Sequence, residues 1–341
     1  MSKQVYIDLR PLAREKSIFK IAISDRNDGK TTFAERLAVE TFDESGKAAV
    51  FCRRFSTEFT DLFFDEFAQN LHVFPQVLAG RDFDIIKPSK KRLGALMLPP
   101  QDSDKKRVAV HFVPVSMAGR LKSALGYNTH KNIFFDEYIP LDGRYIPNET
   151  EALLELYKTI DRNHFDNYIM LTGNKITRFN PAFQYFDITT WKKGLNTFKN
   201  GALSLLVYSN KGNAETCEKS AFGDLVRGTK YEEYNAGEFL RNYSELIKAK
   251  HSRIVLLYIA HRGKLYAVYQ SEKDAVIDYA RNETQPAPRV CVEPQPPEMR
   301  AVWLSSMLNV LHLLQAYKYA NRLFFASEII MNDLKKVYAA V

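Results

Sequence analysis

Residues 24–32 are the part of this sequence whose types and spacing most clearly predict chemistry. They read Ser-Asp-Arg-Asn-Asp-Gly-Lys-Thr-Thr, close to the phosphate-binding pattern G-x-x-x-x-G-K-[ST]. In that pattern backbone N–H groups surround the phosphates, the lysine reaches the β- and γ-phosphates, and the hydroxyl binds Mg²⁺. Ser24 replaces the first glycine, whereas Gly29, Lys30 and Thr31 are retained. The loop therefore predicts binding of a nucleoside triphosphate with Mg²⁺.

The flanking residues have the patterns that a phosphate-binding loop requires. Residues 17–23 are mostly apolar and are predicted to form the strand, and residues 31–40 repeat apolar side chains at helical spacing. The helix would direct its dipole and free N–H groups at the phosphates. An ordinary polar turn before a helix is the alternative. The candidate ligands are Ser24, Asp25, Arg26, Asn27, Asp28, Gly29, Lys30, Thr31 and Thr32.

A second motif lies about a hundred residues later, where the apolar run 133–135 ends in Asp136 and Glu137. Such a run is typical of a central parallel strand with charge at its carboxyl end. In an ATPase Asp136 would hold Mg²⁺ through water, and Glu137 would orient or deprotonate the attacking water. Two solvated acids at a strand end are the alternative. The order of the two motifs favours an ATP site.

Charge that builds on the γ-phosphate during hydrolysis requires a cation, often an arginine from a neighbouring subunit. Arg162, at the end of a predicted helix 149–163, is one candidate, and Arg26 in the loop could act within its own subunit. Spacing does not choose between them. Asn174 follows a predicted strand 168–172 and could hydrogen-bond the γ-phosphate or the attacking water. A surface arginine and a turn asparagine are the alternatives.

Four other basic residues are candidates for phosphate contacts. Arg53 and Arg54 end a predicted strand and could face phosphates of nucleotide or DNA. Arg120 and Lys122 lie in the loop 116–123, which in a ring could touch DNA backbone phosphates. The net charge of +8 and isoelectric point of about 9.1 favour a polyanionic partner. Solvated surface charges are the alternative for each residue.

Composition excludes several classes of protein. With 45% hydrophobic and 26% charged residues the chain is predicted to be globular. Its three cysteines are far apart, which argues against a disulfide framework or a zinc site and favours a reducing compartment. No signal peptide or membrane-spanning run is recognisable. We therefore expect a cytoplasmic protein that is neither secreted nor membrane-bound.

The order of elements predicts an α/β fold with a parallel sheet, because strand-like and helix-like runs alternate. A β-hairpin is predicted within 81–99, and a separate domain of strands followed by helices is predicted after 240, with a helical tail from residue 299. The predicted parts are a P-loop domain at 1–186, a lid or linker at 187–240 and a C-terminal domain at 241–341. The predicted strands of the first part are 48–52, 107–115, 133–136 and 168–172, and the helices are 57–70 and 149–163.

The central block of the chain resembles the DNA-packaging ATPases of phi29-type small tailed phages, which are relatives of large terminases. The segments that carry the resemblance are Phe-Phe-Asp-Glu-Tyr-Ile at 134–139, Tyr-Ile-Pro-Asn-Glu at 145–149, Ala-Leu-Leu at 152–154 and Arg-Asn at 162–163. It extends along the whole chain, including Arg53-Arg54, Asn174 and Gly228-Thr229, and is weaker toward the C-terminus.

The resemblance implies an ASCE-type P-loop motor that translocates double-stranded DNA as a homopentameric ring. Such a ring would act in the host cytoplasm on the portal, or connector, of an empty procapsid; whether a scaffold RNA takes part is open. The implied roles are phosphate and Mg²⁺ binding for Lys30 and Thr31, a Walker B pair for Asp136 and Glu137, a trans-acting finger for Arg162, a loop arginine for Arg26 and γ-phosphate sensing for Asn174.

The resemblance also implies that 241–341 is an RNase H-like domain derived from a nuclease that no longer cuts. The predicted first strand, 253–260, carries no acid, and two-metal cleavage requires clustered carboxylates. Asp274, Asp278 and Glu283 do not form a convincing set. Two departures from the family are Ser24 and Ser56, the latter where related sequences can carry a lysine.

Two other functions are compatible with the same motifs. A P-loop helicase or other nucleic-acid remodeller would separate the strands of a forked substrate. A DNA-binding capsid protein with a decayed P-loop, a class suggested by Ser24, would not hydrolyse ATP.

Overall fold

The computed structural model describes residues 6–341 except 90–91, 122–123, 143, 178–179, 189, 210–214, 216–217, 236–238, 240–247, 249–253, 272, 281–284, 296–299, 321, 335–336 and 339–340. The chain forms two compact units, Met1–Arg241 and Asn242–Val341. Every helix within the described ranges is too short or too polar to cross a lipid bilayer.

The first unit is built on a nine-stranded sheet with the strand order β3-β4-β5-β2-β6-β7-β1-β9-β8. Strands β5, β2, β6, β7, β1 and β9 are parallel, and the pairs at the two edges are antiparallel. The strands are β1 Phe19–Ser24, β2 Ala48–Arg53, β3 Asp84–Ile86, β4 Gly94–Leu98, β5 Arg107–Pro114, β6 His130–Asp136, β7 Ile169–Asn174, β8 Gly194–Phe198 and β9 Leu203–Val207.

Apolar residues cover both faces of this sheet, as expected for parallel strands between helices. Alternation along β1 places Ile21 and Ile23 in one core and Ala22 in the other. The helices of this unit are α1 Arg10–Ala13, α2 Lys30–Ser45, α3 Asp61–Val73, α4 Pro75–Leu78, α5 Glu149–Asp161, α6 Pro181–Tyr185, α7 Ala221–Val226 and α8 Lys230–Asn235. Helix α2 contributes Phe33 to one core, and α5 contributes Leu153 to the other, so the two helices lie on opposite faces.

Strand order confirms the predicted ASCE-type P-loop fold. Strand β7 lies between β1, which leads into the phosphate loop, and β6, which ends in Asp136. The register pairs Ser24 with Asn174 and Asp136 with Thr172. The carboxyl ends of the three strands therefore meet at one edge of the sheet, which we call the phosphate edge.

The structure contains the predicted hairpin, but it places part of the predicted linker in the large sheet. The hairpin predicted within 81–99 is present as β3 and β4, which extend the sheet beyond β5. Strands β8 and β9 lie inside the predicted lid or linker 187–240, yet β9 pairs parallel to β1 and belongs to the large sheet. Residues 194–207 are thus not a linker, and this part of the prediction is corrected.

The second unit contains a six-stranded sheet with the order β14-β13-β10-β11-β12-β15. Strands β10, β11 and β12 form an antiparallel meander, and β13 extends it parallel to β10. The tail from residue 299, predicted to be helical, also contains the short strands β14 and β15. The elements are β10 Ile254–His261, β11 Lys264–Ser271, β12 Asp274–Tyr279, β13 Arg289–Cys291, β14 Val302–Trp303, α9 Leu308–Tyr319, β15 Leu323–Phe325 and α10 Glu328–Asp333.

Candidate functional site

The phosphate loop joins β1 to α2 and encloses the lysine of the motif. Lys30 Nζ donates to the carbonyl oxygen of Asp25 at 2.7 Å and to Ser24 Oγ at 3.0 Å. Lys30 is buried, and this burial lowers its pKa to about 8. The residue that replaces the expected glycine therefore supplies one of the acceptors for the motif's lysine.

The loop is closed by close packing of the N-terminal segment against Gly29. Gly29 has a φ of 78°, and a Cβ atom there would lie 1.9 Å from Cδ1 of Tyr6. The N–H of Ile7 also donates to the carbonyl of Asp28 at 2.8 Å. Only glycine suits this position, because both the left-handed backbone and the aromatic ring exclude a side chain.

The remaining loop residues divide by exposure. Ser24, Asp25, Asp28, Lys30 and Thr32 are buried, Gly29 and Thr31 are half-buried, and Arg26 and Asn27 are exposed. Arg26 is exposed, and its contact with phosphates stays a prediction.

Asp136 and Thr31 lie together at the mouth of the loop, as the motif requires. Thr31 Oγ1 donates to Asp136 Oδ2 at 2.9 Å, and Thr172 Oγ1 donates to the other carboxylate oxygen at 2.5 Å. A hydroxyl and one carboxylate beside a phosphate site are the oxygen ligands that Mg²⁺ prefers, with water and substrate oxygens completing its shell. The donor set at this point therefore fits Mg²⁺.

Arg53 lies beside the two acids that follow the apolar part of β6, Asp136 and Glu137, and its predicted contact with phosphates stays a prediction. Its guanidinium lies 3.0 Å from Asp136 and 2.5 Å from Glu137, and only 12% of the side chain is exposed. The carboxylate of Glu137, in contrast, is 59% exposed. Because Glu137 has a φ of 54°, its backbone adopts the strained left-handed conformation at the end of β6.

Arg54 is a structural residue, and its predicted DNA contact is wrong. Its Nε lies 2.5 Å from Glu149 Oε2, and its Nη2 donates to the carbonyl of Tyr138 at 2.7 Å. Only 3% of either side chain is exposed. This buried pair ties the end of β2 to the first turn of α5, where no DNA backbone can reach it.

Asn174 and Lys175 end β7 at the phosphate edge. Asn174 is half-buried and lies beside Ser24 in the sheet register. The next residue, Lys175, was not identified from the sequence, although its Nζ lies 2.8 Å from Asp25 Oδ1 in the phosphate loop and it also donates to Ser209 Oγ. Its position directly after the predicted sensor was the only available signal.

Glu35 is a further buried carboxyl that the sequence motifs do not identify. It lies on α2 one turn after Thr31 and is 2% exposed. Burial raises its pKa well above the usual value, and the negative charge of Asp136 adds to this shift. The site therefore favours the neutral form of this carboxyl.

Arg162 lies far from the phosphate loop of its own chain. Helix α5 starts beside the phosphate edge at Glu149 and runs for 13 residues, a length of about 20 Å, before Arg162 follows it. A Cβ atom on Gly126, which precedes β6, would lie 3.6 Å from Arg162 Nη2. The exposed Arg162 thus stands at the opposite edge of the sheet from Asp136.

The two candidate DNA contacts in the loop 116–123 have different outcomes. Arg120 is exposed at the end of the 3₁₀ helix Val115–Arg120, where a polyanion could reach it. Lys122 lies outside the described residues.

Comparison with known proteins gives consistent matches. A sequence model of the family "Podovirus DNA encapsidation protein (Gp16)" matches residues 1–286. The chain is 25% identical over 260 residues to the DNA packaging protein of Bacillus phage B103, covering 74% of each chain. It is 24% identical over 261 residues to the DNA packaging protein of Bacillus phage phi29, covering 74% of this chain and 71% of that protein.

Two solved structures share the fold over nearly the whole length. The bacteriophage Phi-29 viral genome packaging motor assembly aligns with a TM-score of 0.68 and 19% identity over 99% of each chain. The Phi-28 gp11 DNA packaging motor aligns with a TM-score of 0.63 and 19% identity over 99% of this chain and 98% of that one. Since the family model matches most of the sequence, this chain belongs to the podovirus DNA encapsidation protein (Gp16) family.

Proposed function

We propose that the protein is an ATP-driven motor that moves double-stranded viral DNA into a preformed procapsid. Hydrolysis would take place between adjacent subunits of a homo-oligomeric ring, with a pentamer as the proposed size. The observation that carries the proposal is the division of the machinery. Lys30, Thr31 and Asp136 converge at one edge of the sheet, whereas Arg162 stands exposed at the other.

The residues at the phosphate edge have complementary tasks in ATP hydrolysis. Lys30 would exchange its acceptors in the loop for the β- and γ-phosphates, and Thr31 with Asp136 would hold Mg²⁺. Mg²⁺, when bound, would neutralise charge that develops on the phosphate oxygens. Glu137 would orient the attacking water or accept its proton once its ion pair with Arg53 opens. Asn174, beside Ser24, would hydrogen-bond the γ-phosphate.

Distance supports Arg162 as the arginine that acts on a neighbouring subunit. Strand β6 has seven residues, so about 20 Å separates its start, near Arg162, from Asp136 at its end. A side chain cannot bridge that gap within one subunit. A ring brings the two edges of different subunits together, and Arg26 would then act within its own loop.

The proposed partners of the protein rest on its net positive charge and on the relatives of known structure. A net charge of +8 and the exposed Arg120 suit the phosphates of a DNA duplex. The relatives of known structure are packaging motors, one of them solved as a motor assembly. We propose that the ring acts in the host cytoplasm on the portal vertex of the procapsid, with or without a scaffold RNA.

The second unit is proposed to be a non-catalytic RNase H-like domain. An antiparallel meander of β10, β11 and β12, extended by β13 parallel to β10, supports this assignment. We also propose the three-part division into 1–186, 187–240 and 241–341, with residues 194–207 counted in the large sheet of the first part.

A single comparison tests the proposed activity. ATP hydrolysis is measured with and without duplex DNA for the wild type and for Lys30→Ala, together with the mass of the native oligomer. We expect DNA to stimulate the wild type and Lys30→Ala to lose nucleotide binding and hydrolysis. Absence of Mg²⁺-dependent hydrolysis would favour the capsid protein with a decayed loop, and separation of a forked duplex would favour a helicase.

A further inference from the structure

The segment that follows α5 is a braced loop with an unusual backbone. The last residue of α5, Asp161, is buried, and its carboxylate accepts hydrogen bonds from the N–H of Phe165 at 2.9 Å and from Asn167 Nδ2 at 3.0 Å. Asn167 in turn accepts from the N–H of Asn132, close to the start of β6, at 3.2 Å. The loop is therefore braced against the last residue of α5 and anchored to the sheet through Asn167.

Three of the four residues at 162–165 are held in the left-handed region. The φ angles are 48° at Arg162, 65° at Asn163 and 57° at Phe165. This conformation is unfavourable for residues with side chains, and it is unusual for a phenylalanine. Strain of this kind persists only where the surrounding structure enforces it, and it is concentrated in segments with a function.

The strained backbone leaves the side chains of Arg162 and Phe165 exposed. Phe165 is 69% exposed, and the Arg162 guanidinium makes no hydrogen bond or ion pair with any residue that the structure describes. The neighbours of these residues are fixed. The ring of His164 stacks on that of Tyr127 with 3.6 Å between the ring centroids, and Asp166 Oδ2 lies 2.7 Å from Lys131 Nζ. A single exposed phenylalanine is ordinary on a protein surface. An exposed phenylalanine at the end of a braced and strained loop is unusual and calls for a function.

We propose that the loop 162–166 is a preformed docking element for a second copy of this chain, with Phe165 as its apolar anchor and Arg162 as its charged tip. The proposal rests on the proposed trans action of Arg162. The partner surface is the neighbour's phosphate edge, where the negative charges that would attract Arg162 are Glu137, which is 59% exposed, and the triphosphate.

An anchor is needed because an exposed arginine is poorly positioned by its charge alone. Rim charges contribute little to binding, whereas a buried aromatic side chain at an interface supplies much of it. Phe165 lies three residues from Arg162 in a rigid loop. Its docking would hold the guanidinium within reach of the phosphates, so that less conformational entropy is lost when the catalytic groups come together.

The test mixes two inactive subunits that complement each other. Arg162→Ala subunits keep a complete phosphate edge and act as acceptors, and Glu137→Ala subunits keep the arginine and act as donors. Phe165→Ala is added to the donor or, separately, to the acceptor, and DNA-stimulated ATP hydrolysis of the mixed ring is measured. We expect a loss of about tenfold when Phe165→Ala is on the donor, as for truncation of an interface anchor, and little change on the acceptor.

Controls separate docking from folding. Leu62→Ala removes another apolar side chain, 66% exposed, from α3 and should leave complementation unchanged when placed on the donor. Full complementation by a Phe165→Ala donor would overturn the docking role while leaving the proposed function intact. Equal losses on donor and acceptor would also overturn it, since they indicate a general defect. No complementation between the parent variants would overturn the trans arginine itself, and the docking role with it.

Discussion

Ser24 turns the missing glycine of the phosphate loop into a hydrogen-bond acceptor. Its hydroxyl accepts from Lys30 Nζ at 3.0 Å, while the carbonyl of Asp25 accepts at 2.7 Å. Before it contacts ATP, Lys30 must give up these partners. The serine therefore stabilises the nucleotide-free loop, and its replacement is expected to affect affinity and not to abolish it.

The substitution Ser24→Ala tests this role without adding the backbone freedom of glycine. Loss of one hydrogen bond from the free state is expected to tighten binding of Mg·ATP by about two- to tenfold. Titration calorimetry with a slowly hydrolysed ATP analogue measures the change, and Lys30→Ala serves as the variant without binding. Weaker binding by Ser24→Ala would mean that the hydroxyl contributes to the bound state instead.

Local patterns identified the phosphate loop and the acids of β6, but not the cations that surround them. Loop and acids are recognisable because their chemistry depends on neighbours in sequence. Arg53 and Lys175 acquire their roles only when the sheet brings their strands beside Asp136 and Asp25. A pair of arginines after a strand suggests phosphate contacts equally well, so burial of Arg54 against Glu149 could not be distinguished from exposure to DNA.

Among the elements, the strands that alternate with helices were predictable from the sequence, whereas the short strand β9 was not. The strands β1, β2, β6 and β7 are buried along nearly their whole length because both faces of the sheet are covered. Strand β9 has only five residues and follows a region rich in glycine and lysine. Its place beside β1 depends on a long-range pairing that periodicity does not reveal.

Two histidines link β5 and β6 across β2 and make the large sheet sensitive to pH. His111 Nδ1 lies 2.8 Å from His130 Nε2, and the N–H of Gly126 donates to His130 Nδ1 at 3.2 Å. The Nε2 of His130 is therefore the protonated nitrogen that donates to His111. Burial lowers the pKa of His111 and, together with the charge of His111, lowers that of His130 to about 4.

Both folded-state pKa values lie below the usual 6.5, so the unfolded chain binds protons first as the pH falls. Titration of the histidines does not change stability above about pH 6.5, and it destabilises the fold increasingly as the pH falls, down to about 4 for His130. For His130 the loss is about 2 kcal/mol by pH 5. Urea unfolding at several pH values should show a shallower loss for His130→Gln than for the wild type.

The matched control for this measurement is His72→Gln, which changes an exposed histidine on α3. It should reproduce the wild-type dependence. Parallel curves for the wild type and His130→Gln would show that the buried pair does not govern the acid sensitivity of the sheet. A lower stability of His130→Gln at pH 8 is expected in either case, because the hydrogen bond to His111 is lost.

At the scale of the whole molecule, an ATP site in the first unit is combined with a second unit in which Asp333 and Asp274 are engaged by cations and hydroxyls. Strand β10 contains no Asp or Glu. Asp333 accepts from Lys264 and Tyr266 at 2.8 Å, and Asp274 pairs with Lys248. Among the described residues no group of three or more His, Cys, Asp or Glu side chains could hold a metal ion.

This distribution of charge predicts that the protein does not cut DNA. Two-metal hydrolysis needs carboxylates that hold two ions about 4 Å apart, and here Asp274 and Asp333 are paired with Lys248 and Lys264. Supercoiled plasmid incubated with the protein and Mg²⁺ or Mn²⁺ should stay intact while ATP is consumed in the same tube. Cleavage that disappears in Asp274→Asn but persists in Lys30→Ala would assign a nuclease to the second unit, because that pair of variants separates its acids from the ATP site. If the plasmid stays intact with the wild type and with both variants, the prediction holds, and the protein acts on DNA through ATP hydrolysis without cutting it.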